Sequence, residues 1–517
     1  MSISVRDTPE DRGAGSRGGP AAVGIGRVAS LLGRVPSAGR WCFVVAFLNV
    51  LIWTFVIPPF QVPDEISHFG YVQYLAEVGR PPSQGPIGQY SPQEQDTLDA
   101  LSFAVVAGHG AQRGIMDSVE EQGLREELAA TASPVGEGGS SSATDQPPLY
   151  YALESIPYLL SPSREILARL ELMRVLSALM AALTVLCIYM FLRELLPGSP
   201  WTWTVGALVV AFQPMFCFIG AGVQGDNLLF LASAATFLGL ARAFRRGLST
   251  KRAALIGLVT VAGLLAKLTF IALLPGIALA LALLAWRAWP SGKGQALRSL
   301  AVASAIVVIP ALAYGILNAS VWHRGGVTAG GVAGATTSAN TAGRVINFRE
   351  TLDYIWQLYL PRLPFMYREF SYYPLITTWL DGTVGQFGWL DYSFPQWVYT
   401  VAHWLFAGLG VLALVEIVRM RRAIGPWLGM FVCFAVMAAG LLGAIGDAGI
   451  HYRASTGDVF EQARYLFPLL AFYGLFMVVA ARGVGRRWAP VLGGALVVLA
   501  MAHGLFAETL TISRYYG

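Results

Sequence analysis

The sequence predicts an all-α polytopic membrane protein, and three observations carry that prediction. The 517 residues are 55% hydrophobic and only 13% charged, where an ordinary soluble chain carries roughly 25% charged residues. Apolar runs of about 18–22 residues recur from residue 41 almost to the end, each long enough to cross a hydrocarbon core of about 30 Å as a helix. The short alternating segments that would mark a membrane β-barrel do not occur in the sequence.

The elements follow in order. Residues 1–40 are rich in Gly and Arg and hold no apolar stretch of membrane length, so they read as a disordered cytoplasmic tail. Residues 41–517 read as one transmembrane domain. Its first run, Trp41 to Pro59, leads into Pro58-Pro59-Phe60-Gln61, a poor cleavage sequence, and is expected to stay as a helix. Further spans are expected at 166–195, 201–220, 226–244, 253–267, 269–288, 299–318, 396–417, 425–445, 461–481 and 488–508, about eleven crossings in all. The fifth and sixth form one apolar block broken only by Lys267. The second is long enough to tilt or to project beyond the bilayer.

Charge orients these helices. Arg6 to Arg40, Arg245 to Arg252, Arg287 to Arg298, Arg419 to Arg422 and Arg482 to Arg487 all fall on one side of an eleven-span arrangement. The positive-inside rule makes that side cytoplasmic. The N-terminus is then cytoplasmic and the C-terminus on the far side of the membrane. The net charge of +5 is accounted for by this orientation, with no nucleic-acid partner implied. Two long connections then face outward, 60–165 and 319–395, and loops of that length are usually functional or disordered. Within the first, 131–145 has the composition of a flexible linker, and 93–130 reads as short surface helices. Within the second, 349–373 is aromatic and charged, which suits a segment lying in the membrane interface. Cys42, Cys187, Cys217 and Cys433 lie inside apolar runs and are expected as buried thiols. No Cys/His spacing suits zinc, and no repeat suggests inverted transporter halves.

The unusual polar residues gather on the outward side, where ionisable groups near membrane depth point to function by default. Asp64, Glu65 and His68 follow the first span. If Pro63 opens a helix, Asp64 and His68 share one face and Glu65 lies roughly 100° round. The carboxylates suit a general base; the plainer account is acids complementing a helix dipole. His68 suits a partner that orients Asp64 or contacts a phosphate. Lys267 suits a phosphate cation or a lysine reaching for the interface. Arg464 offers a planar donor fork for phosphate, or an i,i+3 pair with Glu461. Asp226 and Asn227 suit substrate hydroxyls or a helix cap. Gln146, Tyr150, Trp389, Asp391 and Glu461 complete the candidate substrate contacts, in motifs DQPPLYY, GQFGWLD and EQARYLFP.

In order along the chain, VPDEISHF, DQPPLYY, QGDN, GLLAKLT, GQFGWLD and EQARYLFPLLA resemble a bacterial family of polytopic membrane proteins of unknown function that is grouped with the GT-C glycosyltransferases. The resemblance runs from about residue 41 to about 480. It implies a transmembrane bundle beneath two extracytoplasmic loops with juxtamembrane helices, a GT-C-type fold. It also implies an inverting transfer of sugar from a polyprenyl-phosphate donor to a cell-envelope glycan or lipid acceptor. An acidic residue of the first outer loop acts as base, here Asp64 or Glu65, with Lys267 and Arg464 near the lipid phosphate. Where such proteins often carry His-Pro-Pro, this chain has Gln146-Pro147-Pro148, which removes a histidine role there. No cofactor is expected; a divalent metal on Asp64 and Glu65 is compatible with the chemistry without being needed by it. The alternative is a transporter or lipid-handling protein, which would place ionisable groups near the midplane.

Overall fold

The computed structural model describes residues 35–82, 90–112, 122–123, 126, 143–163, 165–324 and 347–517. Most of the N-terminal tail, and residues 131–142 of the expected linker, lie outside the described residues. In chain order the helices are α1 Ser37–Val56, α2 Glu65–Val78, α3 Pro92–Ala100, α4 Phe103–Val106, α5 Leu149–Leu160, α6 Ile166–Leu195, α7 Pro200–Ala211, α8 Pro214–Gly220, α9 Asp226–Arg246, α10 Thr250–Ala266, α11 Leu274–Ala288, α12 Lys293–Ser320, α13 Phe348–Tyr359, α14 Asp381–Gly385, α15 Gln396–Ile424, α16 Leu428–Thr456, α17 Leu470–Gly483 and α18 Ala489–Tyr516. A two-residue antiparallel pair, β1 Gln386–Phe387 with β2 Tyr392–Ser393, closes the turn between α14 and α15.

Among the described residues, eight helical stretches are long and apolar enough to cross a membrane, or nine with the bent pair α7–α8. One of the eight is the 61-residue stretch Gln396–Thr456. It is two helices, α15 and α16, joined by a 3-10 turn at Gly425–Trp427. Leu412 and Arg419 of α15 meet Gly483 at the end of α17, whereas Gly449 near the end of α16 meets Glu461 just before that same helix. The two halves therefore run in opposite directions. The run expected as one straight helix at 201–220 is bent by 63° between α7 and α8. Pro214 brings no N–H to continue α7, and the Gln213 side chain accepts from the Phe216 amide to start α8 instead.

Helix α6 is the hub, packed by α1, α5, α7 and α9, while α10 and α12 pair at one flank and α15, α17 and α18 at the other. Helices α12 and α18 leave most of their apolar surface uncovered, as lipid-facing helices do. The two ends of the bundle differ in charge. At one end Arg242, Arg245 and Arg246 surround Glu194, Arg482 pairs with Glu416, and Arg287 lies against Gly429. At the opposite end α2 to α5 and α13 to α14 form a cap of short helices. Helix α1 starts at the arginine-rich end and α18 finishes under the cap, where Arg514 meets Asp391. Of the surface helices expected at 93–130, α3 and α4 are present; 113–121, 124–125 and 127–130 lie outside the described residues. The amphipathic segment expected at 349–373 is helical only as far as Tyr359.

Candidate functional site beneath the cap

The site is built on the turn that leaves α1. Thr54, Ile57 and Pro58 present carbonyls that no helical amide takes up. Arg174, from the third turn of α6, donates to all of them at 3.3, 2.8 and 3.0 Å. The same guanidinium grips Glu65 with two bonds, Nε to Oε1 at 2.8 Å and Nη2 to Oε2 at 2.6 Å. Glu65 also accepts from the amides of Phe60 and Val223, both at 3.0 Å. Each oxygen thus has two donors, which fills the acceptor capacity of a carboxylate. Both side chains are buried, Arg174 at 3% and Glu65 at 0% exposure. Two neighbouring acids that the sequence presents as equivalent candidates are therefore in different situations.

Asp64 points elsewhere because its backbone does. The helix starts at Glu65 rather than at Pro63, and Asp64 sits just before it in the left-handed region, with φ +65°. Its carbonyl accepts from the His68 amide at 3.1 Å, and its side chain makes no cap bond. The expected shared helical face of Asp64 and His68 is replaced by a carboxylate swung toward Arg464, Nη2 to Oδ2 at 2.5 Å. That carboxylate remains 36% exposed while Arg464 is 5% exposed. Burial pushes the Asp64 pKa up, but the Arg464 guanidinium, with His68 and Lys267 behind it, holds the group below the ordinary carboxylate value.

A second ion pair lies beside the first. Lys267 follows α10 in an extended conformation, which carries its Nζ to Asp226 Oδ1 at 2.7 Å. Asp226 begins α9 without capping it, and Asn227 donates to the Gly222 carbonyl at 3.0 Å rather than capping. Gln224 joins the two halves: its amide donates to the Pro63 carbonyl, and its oxygen lies 3.4 Å from Arg464 Nη1. A side chain on Gly222 would collide with Val62, so this approach of the 221–225 loop to the 58–65 turn requires glycine. His68 is buried, with Nδ1 2.9 Å from the Tyr151 hydroxyl. Burial first, then Lys267, lowers its pKa to about 4, so the imidazole is neutral at physiological pH. Gln146 edges the site, accepting from the Leu268 amide at 3.4 Å.

Three buried polar atoms here have no protein partner: Asp226 Oδ2, Asn227 Oδ1 and Arg464 Nε. Two acceptors and one donor of this kind call for an explanation, and a polar ligand is one. Among the described residues no group of three or more His, Cys, Asp or Glu is placed to hold a metal ion.

The remaining candidates stand around this cluster. The Tyr150 hydroxyl meets the backbone of Gln224 and lies 3.0 Å from Ser177, which donates to the buried Glu154 at 2.9 Å. Burial pushes Glu154 up to about 8. Asp391 is 1% exposed and held by Arg514 at 2.7 and 3.2 Å, while Arg514 also donates to the carbonyls of Val106, His109 and Gln112. Trp389 donates from its backbone to Asp391 and from its indole to the Phe60 carbonyl. Glu461 accepts from the Tyr354 hydroxyl at 2.5 Å and not from Arg464, so the i,i+3 pair is not formed. Reasoning from sequence missed Arg174, Tyr151 and Arg514. Arg174 carried a signal, since it interrupts the apolar run MRVLSALM.

Fold and site together define a polytopic helical membrane protein with an enclosed polar cluster under a cap at one end of its bundle. The chain belongs to the family described as predicted membrane protein (DUF2142), whose model matches residues 47–473. The match takes in every member of the cluster and stops short of α18. No curated protein matches the chain.

Proposed function

We propose that this protein is an inverting glycosyltransferase of GT-C type, moving a sugar from a polyprenyl-phosphate donor to a glycan or lipid acceptor outside a bacterial plasma membrane. The observation that supports it most is the juxtaposition of a partly open, ionised carboxylate, Asp64, with two cations, Arg464 and Lys267, at a bundle end. In this reading the chain crosses the membrane eleven times, with its N-terminus cytoplasmic. Supporting that number are the division of Gln396–Thr456 into two antiparallel helices, the bent pair α7–α8, and α10, which at 17 residues is just short of a full span. The start of α1 and the finish of α18 at opposite ends support an odd number.

The chemistry is a single displacement. The acceptor hydroxyl oxygen bonds to the anomeric carbon as the bond from that carbon to the phosphate oxygen breaks. Asp64 takes the hydroxyl proton, and the phosphate leaves with both electrons of the broken bond, its charge met by Arg464 and Lys267. Donor phosphate competes with Asp64 for Arg464. Once the guanidinium turns to phosphate, Asp64 loses its strongest opposing charge and becomes the better base. Glu65, with every acceptor site filled, has a positioning role in this reading. His68, Asp226, Asn227 and Gln146 line the sugar.

The test is sugar transfer by purified protein in lipid, supplied with a panel of polyprenyl-phosphate sugars and cell-wall acceptors. Wild-type transfer that falls at least about a hundredfold in Asp64→Asn, the usual scale for a lost general base, supports the reading. Transfer that survives Asp64→Asn removes Asp64 as base. Donor binding without transfer to any acceptor favours a lipid-handling role.

A further inference from the structure

A groove of about 430 Å³ lies in the second long loop, away from the Asp64 cluster, lined by Gln357 and by residues 360–362, 368 and 370–374. Its distinguishing feature is uncompensated charge. Arg362 and Arg368 both face it, no carboxylate lines it, and among the described residues neither arginine has an acid within ion-pair distance. The neighbouring acid, Glu369, is engaged by Arg453, 3.7 Å away.

The groove is also pre-formed. Gln357 pins the loop to α13 by donating to the Tyr367 carbonyl at 2.6 Å and accepting from the Glu369 amide at 3.1 Å. Arg368 is held by the carbonyls of Phe370 and Ser371 at 3.1 and 2.9 Å, and Arg362 by that of Met366 at 2.8 Å. These bonds use one of the five N–H donors of Arg362 and two of those of Arg368, and the others remain available to a ligand. Two oriented planar forks suit bidentate capture of tetrahedral oxyanions. Tyr372 and Tyr373 supply hydroxyls and ring faces at the rim, and Pro361 and Pro374 restrict the backbone at both ends.

We infer that this groove binds a phosphate-bearing ligand, presented either on a soluble sugar phosphate or on an anionic lipid headgroup. The site stands whether or not the Asp64 cluster transfers sugar. Helix α13 links the two regions, since Tyr354, one turn before Gln357, donates to Glu461 three residues ahead of Arg464.

The experiment uses full-length protein in nanodiscs and compares wild type, the double variant Arg362→Gln with Arg368→Gln, and Arg464→Gln. Both groove arginines are exposed, so the double variant should fold; an unchanged thermal unfolding midpoint checks this. In one arm, discs of phosphatidylcholine are titrated with glucose 1-phosphate by equilibrium dialysis. In the other, phosphatidylglycerol retained through purification is counted by mass spectrometry. At least a tenfold loss of sugar-phosphate affinity in the double variant, with the groove component intact in Arg464→Gln, supports the site with a soluble source. Loss of retained phosphatidylglycerol in the double variant alone supports it with a lipid source. No change in either arm, or a change only in Arg464→Gln, overturns it.

Discussion

Replacing Arg174 by Met tests the division of labour between the two adjacent acids. The substitution keeps much of the apolar stem but leaves Glu65 buried without its cation. Breaking a buried pair by removing one partner costs about 3–5 kcal/mol. The carbonyls of Thr54 and Ile57 lose their donor at the same time, while that of Pro58 keeps the Gln61 amide at 3.3 Å, and each unsatisfied buried group adds about 1–3 kcal/mol. Protonation of Glu65 and entry of water relieve part of this, so a net loss of about 4 kcal/mol or more is expected. That is a large share of the roughly 5–15 kcal/mol that holds an ordinary domain together. Asp64→Asn, by contrast, keeps an oxygen acceptor for Arg464 at a position 36% exposed, where water can share the guanidinium's charge, and a loss smaller than that from Arg174→Met is expected. The assay is thermal unfolding in one detergent at one protein concentration, followed by tryptophan fluorescence. Arg174→Met should lower the midpoint steeply or prevent recovery of monodisperse protein. The double variant Arg174→Met with Glu65→Leu should recover part of the loss, because an apolar pair in place of an ionic one is often neutral. An Arg174→Met midpoint equal to wild type, or a loss from Asp64→Asn as large as that from Arg174→Met, would refute the reasoning.

Further outcomes are expected. Asp64 has a folded pKa below its unfolded value, so its pairing contributes stability above about pH 4, the unfolded value, and loses it as pH falls through the folded value. The midpoint difference between wild type and Asp64→Asn should therefore be flat from pH 7 to about 4.5 and shrink only below that. His68, lowered to about 4, should give a labelled-histidine NMR signal without a titration step between pH 5.5 and 8; a step near about 6.5, the ordinary value, counts against its burial. Glu154, raised to about 8, favours folding most below its unfolded value of about 4.3, and that contribution is lost as pH rises to about 8, at up to about 1.4 kcal/mol per pH unit. Glu154→Gln should make stability less dependent on pH over that window. Asp391→Asn should loosen the tie between α18 and residues 106–112, seen as faster amide exchange in both; unchanged exchange speaks against that tie.

Sequence patterning placed the helices well because hydrophobic run length is a local property. It set the gathering of polar groups at one end of the bundle for the same reason, since helix ends follow from where apolar runs stop. Pairing was not legible. Asp64 and Glu65 are adjacent acids of one chemical type, and what separates them is a left-handed φ at Asp64 and the arrival of Arg464 from 400 residues away. The helical-face argument failed at that step, because it assumed the helix began at Pro63, two residues earlier. Asp391 read as a sugar contact since an acid in a Gly- and aromatic-rich turn has that character. Its partner Arg514 lies 123 residues on, beyond the last expected span at 488–508. The bend at Pro214 was readable from the missing amide alone, and the length of the apolar run obscured it.

The 57–65 turn explains why so many distant donors converge there. Phe60 and Asp64 both adopt left-handed backbone, at φ +63° and +65°, a conformation that costs a non-glycine residue about 1–3 kcal/mol when the surroundings must enforce it. Such a turn persists only if other elements over-determine it. Arg174 from α6 holds its first carbonyls and Glu65, the Val223 amide takes Glu65 from a second side, Gln224 takes the Pro63 carbonyl, Trp389 takes the Phe60 carbonyl, and Tyr515 reaches Gln61 from α18. Every one of these bonds fixes the turn without touching the Asp64 carboxylate, which is left with a single strong partner on a rigid base. A carboxylate that is to exchange one cation for another needs that arrangement: the backbone beneath it cannot follow the side chain. The buried Glu65–Arg174 pair is in this sense the foundation on which the exposed edge of Asp64 is set, and the two acids are adjacent because one anchors the residue that the other leaves open.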